Sequence, residues 1–167
     1  DVYGQPVPAR AGKPPDIEAG ANVQMDEEGV YRAAISGRIR WSEGTLSVDE
    51  VLLIEGSVGL ETGHISHPGA LVVTEDIQEG SRVDVEGDIE VQGLIDGANV
   101  KTGGNLTVRG GIAGGEDRRI EVGGSVHAKY ILNVDMDVEG DVAVEREIVQ
   151  SNIRCRGRVA VPNGRVV

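Results

Sequence analysis

A chain of 167 residues has room for one domain with a small appendage, and its core must be built almost without rings, since there is no Phe and aromatics total 2%. The 28 acidic residues against 16 Lys and Arg give a net charge of −12, a field that repels nucleic acid, and the aromatic platforms on which bases stack are missing too. No apolar run approaches the ~18 residues of a membrane span, and Cys155, the one cysteine, has no partner for an internal disulfide, which fits a reducing compartment.

The chain opens DVYGQPVPAR, with neither an initiator Met nor a secretory leader. The expectation is a piece of a longer protein. Residues 1–29 carry Pro6, Pro8, Pro14 and Pro15 in quick succession. Proline removes ladder donors and fixes the backbone, so this stretch reads as an extended lead-in. From Tyr31 to Trp41 apolar side chains alternate (Tyr31, Ala33, Ile35, then Ile39 and Trp41). Period two predicts strand, with Gly37 as a bend. Trp41 is the largest side chain and is expected to plug the open end of the fold or pack under the lead-in.

Residues 44–82 hold three weak repeats, GTLSV from Gly44, GSVGL from Gly56 and GALVV from Gly69. Asp49 to Ile54 has strand character through Val51, Leu52, Leu53 and Ile54, although a short helix competes there. From Val83 the repeat is plain. Gly87 opens GDIEV, Gly104 GNLTV, Gly124 GSVHA, Gly140 GDVAV and Gly157 GRVAV, in steps of 17, 20, 16 and 17 residues. Fixed self-similarity of this kind predicts a solenoid with one coil per repeat.

Alignment on the five glycines gives five nearly apolar columns. They are Ile89, Leu106, Val126, Val142, Val159; Val91, Val108, Ala128, Val144, Val161; Ile95, Ile112, Ile131, Ile148; Val83, Val100, Ile120, Met136, Ile153; and Val85, Thr102, Val122, Val138, Cys155. The positions between them are mostly charged or polar, as on strands that bury one row and solvate the other. The predicted fold is all-β: a single-stranded, right-handed parallel β-helix (β-solenoid) with three short strands per coil of about 17 residues and an irregular N-terminal β segment. The division is residues 1–45 as lead-in and β cap, and 46–167 as solenoid. A left-handed hexapeptide helix is the alternative, because Leu94, Val100, Leu106 and Ile112 recur with period six, as do Val126, Leu132, Val138 and Val144. Coils of 16 and 17 residues break a strict eighteen, which favours the right-handed form. The longer step between Gly104 and Gly124 places a loop at Gly114–Arg119.

The candidate chemistry is thin. Asp84, Glu86, Asp88 and Glu90 read as four carboxylates on one outward face. Calcium favours such oxygens, but alternate strand residues lie ~7 Å apart, so a solvated face is the plainer reading, and the same holds for Asp135, Asp137 and Glu139. His64 and His67 in GHISHPG have no third ligand nearby, and Pro68-Gly69 reads as a surface turn. His127 is an outward strand residue. Ser125 shares its face without a nucleophile elbow, and Cys155 falls in an inward column as a small filler. GGIAGG lacks the Lys-Ser or Lys-Thr and the helix of a phosphate loop. No catalytic, cofactor or metal residue is assigned. The candidate interaction residues are Glu116, Asp117, Arg118 and Arg119 in the corner loop, the two arginines suiting an anionic partner.

The opening DVYGQPVPARAGKPP, then GANV and GRI…GTLSV, and later GDIEVQGLIDGANVKTGGNLTVRGGIAGG, AKYILN and EREIVQSNIRCRG, resemble the β-solenoid domain of the flagellar assembly protein A family. The resemblance implies a right-handed β-helix in a bacterial, cytoplasmic protein that serves flagellar assembly or placement, at the cell pole, through protein partners such as flagellar or polar-landmark proteins. It implies no catalytic residue and no cofactor. The fold is also similar to bactofilins and to the C-terminal β-helix of the cell-division inhibitor, which act through self-association. A self-assembling element is therefore the alternative function. A polysaccharide-active enzyme ranks last, since it needs paired acids and aromatic sugar platforms.

Overall fold

The computed structural model describes residues 17–35, 37–115, 117–162 and 164–166. Pro6, Pro8, Pro14 and Pro15 of the lead-in, and Glu116 of the corner loop, lie outside the described residues. Every regular element among the described residues is a strand.

From Val51 onward the chain is a parallel β-solenoid of about six turns. Its strands fall into a ten-stranded and a six-stranded sheet. One coil runs through Arg82–Val85, Ile89–Val91 and Ile95–Asp96, and the next through Asn99–Thr102, Leu106–Val108 and Ile112–Ala113. After Arg119–Val122 the two later segments merge into Val126–Leu132, with a register shift between Ala128 and Tyr130.

The sequence columns are the register of this stack. Ile89 pairs with Leu106, Leu106 with Val126, Val126 with Val142 and Val142 with Val159. Ile95, Ile112, Ile131 and Ile148 pair in one file. Val83, Val100, Ile120, Met136 and Ile153 form another. Each coil can bury its aliphatic row only against its neighbours, at roughly 25 cal/mol per Å², and the inner rows join one continuous cluster. Upstream, Leu52 and Leu71 extend the Ile89 file, and Val58 and Ile77 extend the Ile95 file. Ile95 and Ile131 take the core positions, while Leu94 and Leu132 stay half-buried.

The recurring glycines stack as well. The Gly124 N–H donates to the Gly104 carbonyl at 2.8 Å, and Gly140 to Gly124 at 2.9 Å. Neither has a left-handed φ. What requires glycine is the close approach: a Cβ on Gly140 would sit 2.7 Å from the Gly124 oxygen. Gly69 belongs to this file, through its bond from Gly87. Gly44 and Gly56 do not, which corrects their reading as further repeats. Gly44, with φ 85°, lies at the tip of an antiparallel hairpin, and Gly56, with φ 108°, opens a different corner, from which Val58 stacks on Ile77.

The N-terminal β segment is antiparallel. Val23–Met25 pairs with Tyr31–Ala33, and Arg38–Ser42 with Thr45–Asp49. Glu18–Ala19 adds to the other side of Thr45–Asp49 in parallel. Asp49 to Ile54 is strand on both sides of Glu50. Trp41 does not plug the stack: it stands on the outer strand of the second hairpin and is 53% exposed. It pairs with Leu46, not with any coil.

Candidate functional site

The acidic run of residues 84–90 is not one face. Asp84 stands in the six-stranded sheet and Glu90 in the ten-stranded one, because the chain turns a corner at Gly87. Alternation holds only within a strand, so carboxylates on either side of a bend part company. Asp88 approaches Arg38 of the hairpin at 3.9 Å and Glu90 approaches Arg109 at 3.4 Å.

The strongest electrostatic feature lies on the outer face of the six-stranded sheet. Arg119 opens the strand Arg119–Val122, so it leaves the corner loop to which it was assigned. Asp117, with φ 57°, and Arg118 remain in the loop, where the Arg118 N–H donates to the Gly115 carbonyl at 3.3 Å. The Arg119 guanidinium donates to Asp137 from Nε at 2.8 Å and again from Nη2. Arg154, one coil on, donates from Nε to Asp137 at 2.7 Å and from Nη2 to Asp135 at 3.1 Å. Two guanidinium groups thus clamp one carboxylate. The hydrogen bond from Arg154, then that from Arg119, draws the Asp137 carboxyl down from 3.8 to about 2. Both arginines are held above their ordinary value by Asp137 in return. Glu139 pairs with Arg156 at 2.6 Å. Lys101 and Glu121 stand 3.9 Å apart in the same column as Asp137 and Arg154.

Sequence reasoning passed over this clamp, although its signal was there: Asp84, Lys101, Glu121, Asp137 and Arg154 occupy one position, three residues before the recurring glycine. The residues just after that glycine read from the sequence only as an outward column, without their bonds from coil to coil. The Oδ1 of Asp88 accepts the N–H of Asn105, Asn105 Oδ1 that of Ser125, Ser125 Oγ that of Asp141, and Asp141 Oδ1 that of Arg158. Ser125 is therefore engaged in a structural ladder, with its oxygen accepting.

The remaining candidates separate. His64 is exposed. His67 is no surface turn: it ends the strand Ile65–His67, stacks on Val85 in an inward column, and its buried Nε2 has no hydrogen-bond partner among the described residues. Its place follows from the register, since two residues before Gly69 is an inward position. His127 is exposed, with Nε2 3.4 Å from Glu145 Oε1. Cys155 closes the column of Val138 at the half-buried end of the core, its thiol 3.4 Å from the Gly157 carbonyl. Arg38 overhangs an open cavity of about 310 Å³ on the ten-stranded sheet, lined also by Asp88, Asn105, Thr107, His127 and Ala143. Among the described residues no group of three or more His, Cys, Asp or Glu is placed to hold a metal, and no helix is long and apolar enough to cross a membrane.

A family model described as the flagellar assembly protein A beta solenoid domain matches residues 50–167. The matched span holds all the coils and leaves out the opening DVYGQPVPARAGKPP. No curated protein and no solved structure matches the chain.

Proposed function

The chain belongs to the flagellar assembly protein A family through its β-solenoid domain, and from that premise we propose that it is a non-enzymatic scaffold for assembly or placement of bacterial flagella. It works by binding other proteins, in the cytoplasm at the cell pole. The observation that carries this reading is how the outer side chains are spent. The polar residues that repeat from coil to coil are tied to each other or to corner N–H groups, as in the Asp137 clamp and the Asp88–Arg158 ladder. Such a surface holds a rod rigid and presents charge, but it aims no acid, base and nucleophile at one point. The partners are proteins and not nucleic acid, because the net charge of −12 opposes a phosphate backbone. The corner loop with Asp117 and Arg118 is the contact to try first.

The test is a pull-down from the native cell with the full-length protein, wild type against Asp117→Ala/Arg118→Ala. Flagellar or polar-landmark proteins should come down with the wild type and fall away with the variant. Their absence from both would remove the reading, and their equal recovery would move the contact away from the loop.

Self-assembly is a second reading, favoured by one observation. Strand Val51–Ile54 has a single partner strand, Ala70–Val73, among the described residues, so its other edge offers strand addition. Light scattering of the full-length protein should then show size rising with concentration. A constant monomer would end it.

A further inference from the structure

Arg38–Ser42 is the edge strand of the three-stranded sheet ahead of the solenoid. Its one partner among the described residues is Thr45–Asp49, and all five of its residues are exposed. The turn at Glu43-Gly44, with φ 49° and 85°, fixes which backbone groups are free. A two-residue hairpin closes on a hydrogen-bonded pair, here Ser42 with Thr45. Alternation then gives Arg40 and Arg38 the next such pairs, with Ser47 and Asp49. Ile39 and Trp41 turn their N–H and C=O groups to the open edge. The same two residues carry its apolar side chains, 71% and 53% exposed. An edge of this kind, with no proline or bulge to blunt it, is a template for another strand.

We propose that the occupant is the same strand of a second copy, running antiparallel about a two-fold axis at Arg40. Three observations favour it. The first is register. Pairing about Arg40 sets Ile39 opposite Trp41 of the second copy, and Trp41 opposite its Ile39. These are the residues with outward backbone groups, and each such pair exchanges two N–H···O bonds. The neighbouring registers waste one side chain: pairing about Ile39 sets Trp41 opposite Gly37, and pairing about Trp41 sets Ile39 opposite Glu43. The second is the face. Directly paired residues share a face, so Ile39 and Trp41 of both copies continue the row of Ala19, Leu46 and Val48 across the contact. The third is charge. Residues 30–42 hold Arg32, Arg38 and Arg40 and no acid, in a chain of net −12, so two copies repel least here. Arg40 already meets Asp49 at 3.2 Å and Arg38 meets Asp88 at 3.9 Å, so no unmatched charge on this edge calls for an acidic partner. The contact is separate from strand addition at Val51–Ile54: a two-fold contact uses up both edges and stops at two copies.

Sedimentation of the full chain over a range of concentrations tests this. Wild type should pass from monomer to twice the monomer mass and no further. Trp41 is the one Trp, so its emission should move to shorter wavelength over the same range. Ile39 stands in both cross-copy pairs, so Ile39→Lys strikes the contact twice and keeps the reporter. It should weaken the dimer at least about tenfold, with an unchanged β-sheet spectrum, while Ile39→Val should still dimerise. A wild type that stays monomeric would overturn the proposal. So would association that Ile39→Lys leaves intact, or a Trp41 emission that does not follow the mass.

Discussion

The Oδ1 of Asp88 accepts the backbone N–H of Asn105 at 2.7 Å, across one full coil of the solenoid. The corner after each glycine takes this N–H out of the interstrand ladder, and only a side-chain oxygen from the coil below reaches it. The ladder ends at Arg158, whose own N–H is met by Asp141 but whose side chain has no oxygen to offer. Asp88→Ala should therefore cost about 1 kcal/mol, or a thermal midpoint lower by about 2–4 °C in a chain of this size. Asp88→Asn keeps the accepting oxygen and should lose less than half of that. Equal losses would assign the effect to the Arg38 ion pair instead.

Two neighbours on one strand should respond very differently to truncation. Ile131 is fully buried between Ile112 and Ile148, and Leu132 beside it is half-buried. Ile131→Ala opens a cavity inside a stack that cannot collapse without breaking coil register, so about 2–5 kcal/mol is expected. Leu132→Ala should cost about 1 kcal/mol or less, in proportion to the area it buries. Denaturant titration of both variants checks the ranking. The reverse order would place the period-six register in the core.

His67 is a misfit in its column. It stacks on Val85, with Thr102, Val122, Val138 and Cys155 beyond, and its buried Nε2 lacks a partner among the described residues. Thr102 meets the same environment by donating its hydroxyl to the Gly87 carbonyl. A buried polar atom left unpaired costs about 1–3 kcal/mol, so His67→Leu should raise the thermal midpoint. A fall would mean that the ring's shape at this first coil matters more than its nitrogen.

What could be read in the sequence was whatever repeats. The files of Ile95 and Val83 were visible because a solenoid puts chemically equal positions at equal spacing, and the structure pairs them residue for residue. The Asp137 clamp lies in that same alignment, but a charged column reads as plain solvent exposure until a neighbouring coil supplies Arg119 and Arg154. The five glycines stand at the corners, as their spacing in the repeat suggests, but the reason only glycine fits there is contact, since the stacked backbones leave no space for a Cβ. The end plug expected of Trp41 and the surface turn expected of His67 failed for opposite reasons. The first was assigned by its size, which says nothing about which hairpin carries it. The second was assigned by Pro68-Gly69, a turn signal that holds for the residues after it but not for the strand before it.

The Asp137 clamp predicts an acid limit for the outer face. Its carboxyl is drawn from 3.8 to about 2 by the bonds from Arg154 and Arg119, so the native state binds this proton less readily than the unfolded chain. A depressed value stabilises the fold above the unfolded value and loses its effect as pH falls through the folded one. The difference in midpoint between wild type and Asp137→Asn should therefore hold steady from neutral pH to about 5 and close between about 4 and 2. All three groups are substantially exposed, so the difference should also shrink with added salt, and it should be modest throughout. Thermal melts of both proteins across that range, at two ionic strengths, measure it. A difference that survives at pH 2 would mean that Asp137 acts there by shape and hydrogen bonding alone, and that charge contributes nothing to holding the last coils together.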